Sequence, residues 1–153
     1  MKEGHKMTPH LHKVQYYETD QMQIVHHSNY IRWFEEARTH LLDEMGFGYH
    51  EMEAAGILIP VLSVQADYKS MVRFGESVQI EISVGVFTGV KMTLHYSVVD
   101  AESGEVRAVG ESAHAFLDKE NYRPLSLKRR HKELYALFLN LKQQSDNEEK
   151  GAL

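Results

Sequence analysis

The chain has 153 residues, 42% of them hydrophobic and 25% charged, which is enough for one domain with a real core and leaves no room for a second. Its formal net charge of -5 argues against a general nucleic-acid binder, and the basic run Lys128-Arg129-Arg130-His131-Lys132 reads first as a solvated helix face. The absence of cysteine excludes disulfides, thiolate zinc sites and cysteine nucleophiles.

The segment Met1 to His12 is polar and lacks an apolar signal-like stretch. Nowhere do the roughly eighteen apolar residues of a membrane span run together. A soluble, unprocessed, cytoplasmic protein with no membrane partner is the expectation.

In chain order, a first strand is expected near Val14. From Tyr30 the apolar residues Tyr30, Phe34, Ala37, Leu41 and Met45 follow one face of a 3.6-residue helix, which Gly46 and Gly48 end. Ser28 or Asn29 is the expected N-cap, and Arg32 with Glu36 the expected pair on the outer face. After Pro60 the period changes to two. Leu62, Val64, Ala66 and Tyr68 alternate with polar residues, as do Val78, Ile80, Ile82, Val84 and Val86, and then Met92, Leu94, Tyr96 and Val98.

A fourth strand is read from about Val106 to Leu117. Turns at Phe74-Gly75, Thr88-Gly89 and Ser103-Gly104 are short enough to imply antiparallel pairing. A last helix is expected from about Leu125 to Lys142, with Leu127, His131, Leu134, Phe138 and Leu141 on one face. The order gives an α+β domain over residues 11–142, between an N-terminal segment 1–10 and a polar tail 143–153 that lacks an apolar period and should fray.

The chemistry concentrates between residues 13 and 38, where the carboxylate of Asp20 lies in a loop that leads into the central helix. A helix start offers unpaired N–H groups and the positive end of the macrodipole. It can hold an oxyanion while a nearby carboxylate attacks or deprotonates a water, which is the chemistry of ester and thioester cleavage.

Val14, Thr19-Asp20, Ile24-Val25, His27 and Tyr30, at these spacings, resemble the active-site signature of the 4-hydroxybenzoyl-CoA thioesterase family. The chain departs from it at Lys13, usually Gln or Arg, and at Gln23, usually Gly. A Gly there supplies positive φ or close backbone approach. The resemblance covers roughly Leu11 to Arg123 and implies a hotdog fold, an antiparallel sheet wrapped around a long helix, which agrees with the order read from periodicity. It also implies subunits that pair edge to edge as a homodimer, often paired again as a homotetramer, with acyl-CoA at the interface and no cofactor.

On the same resemblance Asp20 is the catalytic group, acting as nucleophile or as general base. His27 polarises the carbonyl through its backbone N–H or its ring, and Tyr30 lines the acyl pocket. Asn29 and Tyr30, with Lys69 and Arg73 for the coenzyme A phosphates, form the expected substrate-binding set. Lys91, Arg123 and Arg129 are further phosphate candidates, each competing with an ordinary role as a solvated charge.

Taken alone, Asp20 would be an Asx-turn residue and His27 a solvent-facing loop histidine. Tyr30, Trp33 and Phe34 would be packing residues. Ser28 lacks any triad or nucleophile elbow and reads as a cap. His5, His10, His12, His26 and His27 lack the helical spacing with a carboxylate that hydrolytic zinc sites use, so no metal is expected. Two alternatives to an acyl-CoA thioester hydrolase remain open, an acyl-carrier-protein thioesterase and a non-catalytic acyl-CoA-binding module. A dehydratase pattern is not seen.

Overall fold

The computed structural model describes residues 8–151. Strand β1 (His10–Lys13) leads through a 3-10 turn at Tyr16–Glu18 and a loop into helix α1 (Ser28–Glu44). Helix α2 (Tyr49–Ala55) and the short strand β2 (Ile57–Leu58) follow. Next come β3 (Val61–Tyr68), β4 (Ser77–Phe87), β5 (Lys91–Asp100), β6 (Val106–Ala115) and β7 (Leu117–Asp118), then helices α3 (Leu127–Arg130) and α4 (Lys132–Gly151). The sheet runs β1-β4-β5-β6-β3 with every neighbour antiparallel, and β2 pairs with β7 in a separate two-stranded ladder. Neither α2 nor the β2–β7 pair is long enough to leave a period in the sequence.

Alternation makes the sheet one-sided. Val78, Ile80, Ile82 and Val84 of β4 and Met92, Leu94, Tyr96 and Val98 of β5 are buried, and Tyr30, Trp33, Phe34, Ala37 and Leu41 of α1 join them in one core. Phe34 stacks on Tyr96 with centroids 4.3 Å apart and planes 11° from parallel. That stack brings Phe34 onto the backbone of β6 at Gly110, where any Cβ would overlap the Phe34 ring. The helix can lie this close only because residue 110 has no side chain.

Four expectations are corrected. Ser28 is already helical and His27 occupies the N-cap position, with no side-chain cap. Asn29, buried, turns its amide back to the Glu18 carbonyl (2.9 Å) and does not cap the helix. Glu36 pairs with His10 and His12 of β1 and forms no pair with Arg32 among the described residues. The last helix is two. Its apolar face runs on through a break at His131, whose Nδ1 accepts the Leu134 N–H (3.2 Å) and so starts α4.

The expected fraying from Gln143 is the fourth. Helix α4 continues to Gly151, and Ser145 is buried, its hydroxyl donating to the Leu141 carbonyl (3.0 Å) and accepting from the Val84 N–H (2.9 Å). A register shift between Val84 and Val86 leaves that N–H off the ladder, and the serine satisfies it. In β3 the alternation holds but the burial does not. Val61, Leu62, Val64 and Tyr68 are exposed on this edge strand.

A chain of buried polar groups crosses the core. Arg38 donates to the Tyr96 hydroxyl (3.0 Å), which shares a 2.6 Å hydrogen bond with Ser112 Oγ, and Ser112 Oγ in turn meets His114 Nε2 at 2.7 Å. Burial, with the charge of Arg38 adding to it, pushes the His114 ring down to about 4. The unfolded ring titrates near 6.5, so the unfolded chain binds more protons between those values and stability falls as pH drops from 6.5 towards 4. Urea midpoints measured across that interval should show a slope of up to about 1.4 kcal/mol per pH unit from this ring alone. His114→Gln should flatten it, and parallel pH profiles for the two proteins would assign the slope elsewhere.

Candidate active site

The loop between β1 and α1 is organised around a residue the sequence reading passed over. Glu18 is only 4% exposed, yet its carboxylate accepts from the Gln15 N–H (2.8 Å), the Trp33 indole (2.7 Å) and His12 Nε2 (2.8 Å). Burial works to raise this carboxyl, and the Gln15, His12 and Trp33 hydrogen bonds outweigh it, holding the group below the usual glutamate value. The Glu18 carbonyl also accepts the His26 N–H and the Asn29 side chain, each at 2.9 Å. One residue therefore fixes where the loop leaves β1 and where it enters α1.

Between those anchors Asp20 stands at the tip of a tight turn. Its N–H bonds to the Ile24 carbonyl, its carbonyl accepts from the Gln23 N–H, and Oδ1 accepts the Met22 N–H at 2.8 Å. The Asx-turn role is thus present, and it uses one carboxylate oxygen. Gln23 closes the turn at φ +62°, the left-handed conformation that glycine adopts without strain. The far side of the loop is stitched to the segment after β3 by Val25 N–H to Val72 O (2.8 Å) and Phe74 N–H to Gln23 O (3.2 Å), which together make an antiparallel bridge between Ile24 and Arg73.

At the start of α1, the N–H groups of Asn29 and Tyr30 turn back to the carbonyls of His26 and His27, and that of Ser28 to the His26 ring. The His27 N–H has no partner among the described residues. Its ring, exposed, lies against that of His26, with centroids 4.1 Å apart and planes tilted by 31°. The groove beside it, about 600 Å³, is walled by His27, Tyr30, Tyr68, Lys69, Arg73 and Arg107.

Four of the expected residues, His27, Tyr30, Lys69 and Arg73, thus share one groove. Asn29 lies beneath it as a support and not on its wall. Asp20 is outside the lining, on the exposed turn of the same loop. Lys91, Arg123 and Arg129 do not line it either. Arg107, which the sequence reading did not single out, does, but Glu105, Asp100 and Glu76 surround its guanidinium at 3.2 to 3.5 Å. It also donates to the Met71 carbonyl and Ser70 Oγ, so it holds the wall in place and is poorly available to a ligand phosphate. Lys69 and Arg73 are exposed and form no ion pair among the described residues. No helix of the described residues is long and apolar enough to cross a membrane.

Residues 14–136 match the thioesterase-like superfamily, and the chain belongs to that family. It is 35% identical over 117 residues to YneP of Bacillus subtilis (strain 168), named a candidate acyl-CoA thioesterase, covering 76% of this chain and 84% of that protein. Among solved structures it resembles a DHNA-CoA thioesterase from Staphylococcus aureus, with a TM-score of 0.82 and 27% identity over 92% of this chain and 93% of the other. It also resembles the Thermus thermophilus protein TT1821, with a TM-score of 0.78 and 30% identity over 87% and 98% of the two chains. The hotdog architecture expected from the sequence is the architecture of the family.

Gln23→Gly tests the loop. A side chain held in the left-handed region costs about 1–2 kcal/mol, part of which glycine returns through its greater unfolded-state freedom. The substitution should raise the urea midpoint by the equivalent of roughly 0.5–1 kcal/mol. A fall in stability would mean that the Gln23 side chain makes a contact that outweighs the strain.

Proposed function

We propose that the chain is an acyl-CoA thioester hydrolase in which the Asp20 loop and the start of α1 carry the chemistry. The observation that carries this reading is that His27, whose N–H has no partner among the described residues, lines a groove that also holds two exposed cations. A thioester carbonyl placed against that N–H would have its developing negative charge met by a fixed donor at the positive end of a seventeen-residue helix. Lys69 and Arg73 supply the positive charge that the coenzyme A phosphates need. The family and the names of its similar members support the substrate class.

Two routes use the same carboxylate. As a general base, Asp20 takes a proton from a water whose oxygen bonds to the carbonyl carbon; the C–S bond then breaks and the thiolate leaves as free coenzyme A once protonated. As a nucleophile, an Asp20 oxygen bonds to that carbon, the thiolate departs, and water hydrolyses the resulting anhydride. In either case Oδ2 is the available atom, since Oδ1 is held by the Met22 N–H.

The groove's position supports a homodimer. Tyr68 to Met71 form its outer wall at the end of β3, the edge strand that exposes Val61, Leu62, Val64 and Tyr68. An edge strand with an apolar row and unpaired backbone groups is a pairing site, and a second copy added there would continue the sheet and enclose the groove beside Asp20. Light scattering after size exclusion should give a dimer or a dimer of dimers at micromolar concentration. A fully active monomer would overturn the arrangement.

For the chemistry, Asp20→Asn keeps the turn's shape and its Oδ1 acceptor but removes the base and nucleophile. Free-thiol release from short, long and aromatic acyl-CoAs should fall about 10²-fold or more in kcat with KM little changed. Wild-type turnover in the variant, with reversion to Asp excluded by mass spectrometry, would remove Asp20 from the mechanism. A wild-type protein that binds acyl-CoA without turnover would favour the non-catalytic module, and turnover confined to carrier-linked substrates would favour the acyl-carrier-protein thioesterase.

A further inference from the structure

We propose that His10, His12 and Glu36 form a binding site for a divalent transition-metal ion of the zinc kind, in the groove between β1 and α1. This site is separate from the His27 groove and uses residues with no part in the hydrolysis above.

The fold makes the site from two short periodicities. His10 and His12 are two apart on β1 and half-buried on the face turned to α1, while Leu11 and Lys13 point away. Glu36 lies on the facing side of α1, and His40 one turn beyond it. Glu36 Oε2 is 3.4 Å from His10 Nε2 and 3.2 Å from His12 Nδ1, and one ligand atom from each of the three residues lies within 4.8 Å of the others. With metal–ligand bonds of about 2.0–2.1 Å, the edges of a tetrahedral site are about 3.3–3.4 Å long. Two of the three edges already have that length.

The His12 ring presents its second nitrogen to the site. His12 Nε2 is 2.8 Å from the buried carboxylate of Glu18 and donates to it. That leaves Nδ1 on the side of Glu36, 3.2 Å from Oε2. An ion seated between them would take both atoms as ligands. The arrangement is then a carboxylate, a histidine and a metal in series, in which Glu18 fixes the tautomer and raises the basicity of the His12 ring.

His40 lies beside the site. Its ring centroid is 5.4 Å from that of His10, and its Nε2, buried without a hydrogen-bond partner among the described residues, is 3.6 Å from Glu44 Oε1. The groove, about 760 Å³ in volume, leaves Glu36 open to solvent and provides an entry path and room for a water ligand. Two imidazoles and one carboxylate select zinc, nickel, copper or cobalt over magnesium and calcium. The sequence reading weighed His10 and His12 and expected no metal, because Glu36, more than twenty residues away, joins them only through strand–helix packing.

Bound metal would clamp the edge strand β1 to α1 and stiffen the Glu18 anchor that both entrance and exit of the catalytic loop share. The test uses chelator-treated full-length protein. Titration calorimetry with Zn²⁺ should give one saturable equivalent per chain, Co²⁺ should give the visible absorption of a low-symmetry imidazole-ligated ion, and Mg²⁺ or Ca²⁺ at equal concentration should not compete. Zn²⁺ should raise the melting temperature relative to the chelated protein. Glu36→Gln and His10→Gln, both on the groove surface, should each weaken Zn²⁺ binding at least 10-fold and abolish the melting shift while leaving the chelated protein's melting temperature near wild type. Glu18→Gln should weaken binding by about 10–100-fold without removing a ligand. No saturable Zn²⁺ binding by the wild type, or wild-type affinity in both surface variants, would overturn the proposal.

Discussion

The carboxylate of Glu18 is the constraint on which the active-site loop depends. A buried negative charge is tolerable only when its lone pairs are met by donors, and here the donors come from the loop backbone, from β1 and from α1. Each of those donors is itself partly buried and would be orphaned by removing the acid, a cost of about 1–3 kcal/mol for each group left unsatisfied. The network therefore sets the angle between strand and helix and, through the Glu18 carbonyl, the positions of His26 and Asn29. Asp20 is only two residues away, so its turn is built outward from a fixed point.

That rigidity at the base contrasts with the tip. Asp20, Gln21, Met22 and Gln23 are all exposed, and the turn is held by its own backbone hydrogen bonds and by two hydrogen bonds to residues 72 and 74. A carboxylate at such an exposed tip is weakly positioned in one subunit and strongly hydrated. Closing the groove with a second copy along β3 would remove much of that water and strengthen the attraction between a developing oxyanion and the His27 N–H. The same edge strand that would be a liability in a monomer would thus complete the site in a dimer.

How legible this was in the sequence depended on whether a feature was local. The central helix and four strands were readable because their apolar residues keep a period, and the five buried apolar residues of α1 include the four that the pattern named before Met45. The signature residues gave the loop and the family. What failed was set by partners distant in sequence. Ser145 looks like a solvated tail residue until the β4 bulge presents it with the Val84 N–H. Arg32 and Glu36 have the right spacing to pair, but the histidines of β1 compete for the acid. The break at His131 is invisible because the apolar face resumes in phase after it. Glu18 carries no pattern at all, since a single acid among polar residues is ordinary until the fold buries it.

Gln23 shows the two scales meeting. The signature that this stretch resembles usually has glycine here, and the backbone does adopt positive φ, so the physical reason for a glycine is present although the side chain is Gln. The chain keeps the turn by accepting local strain at a place where the side chain is exposed. Strain of this kind persists only where surrounding contacts over-determine the backbone, and the surrounding contacts are identifiable: Gln23 N–H to Asp20 O on one side, Phe74 N–H to Gln23 O on the other. The first closes the turn on Asp20 itself, and the second ties the turn to the segment after β3. The geometry of Asp20 is thus held by the backbone of its neighbours more than by its own side chain, which leaves one oxygen of that side chain available for chemistry.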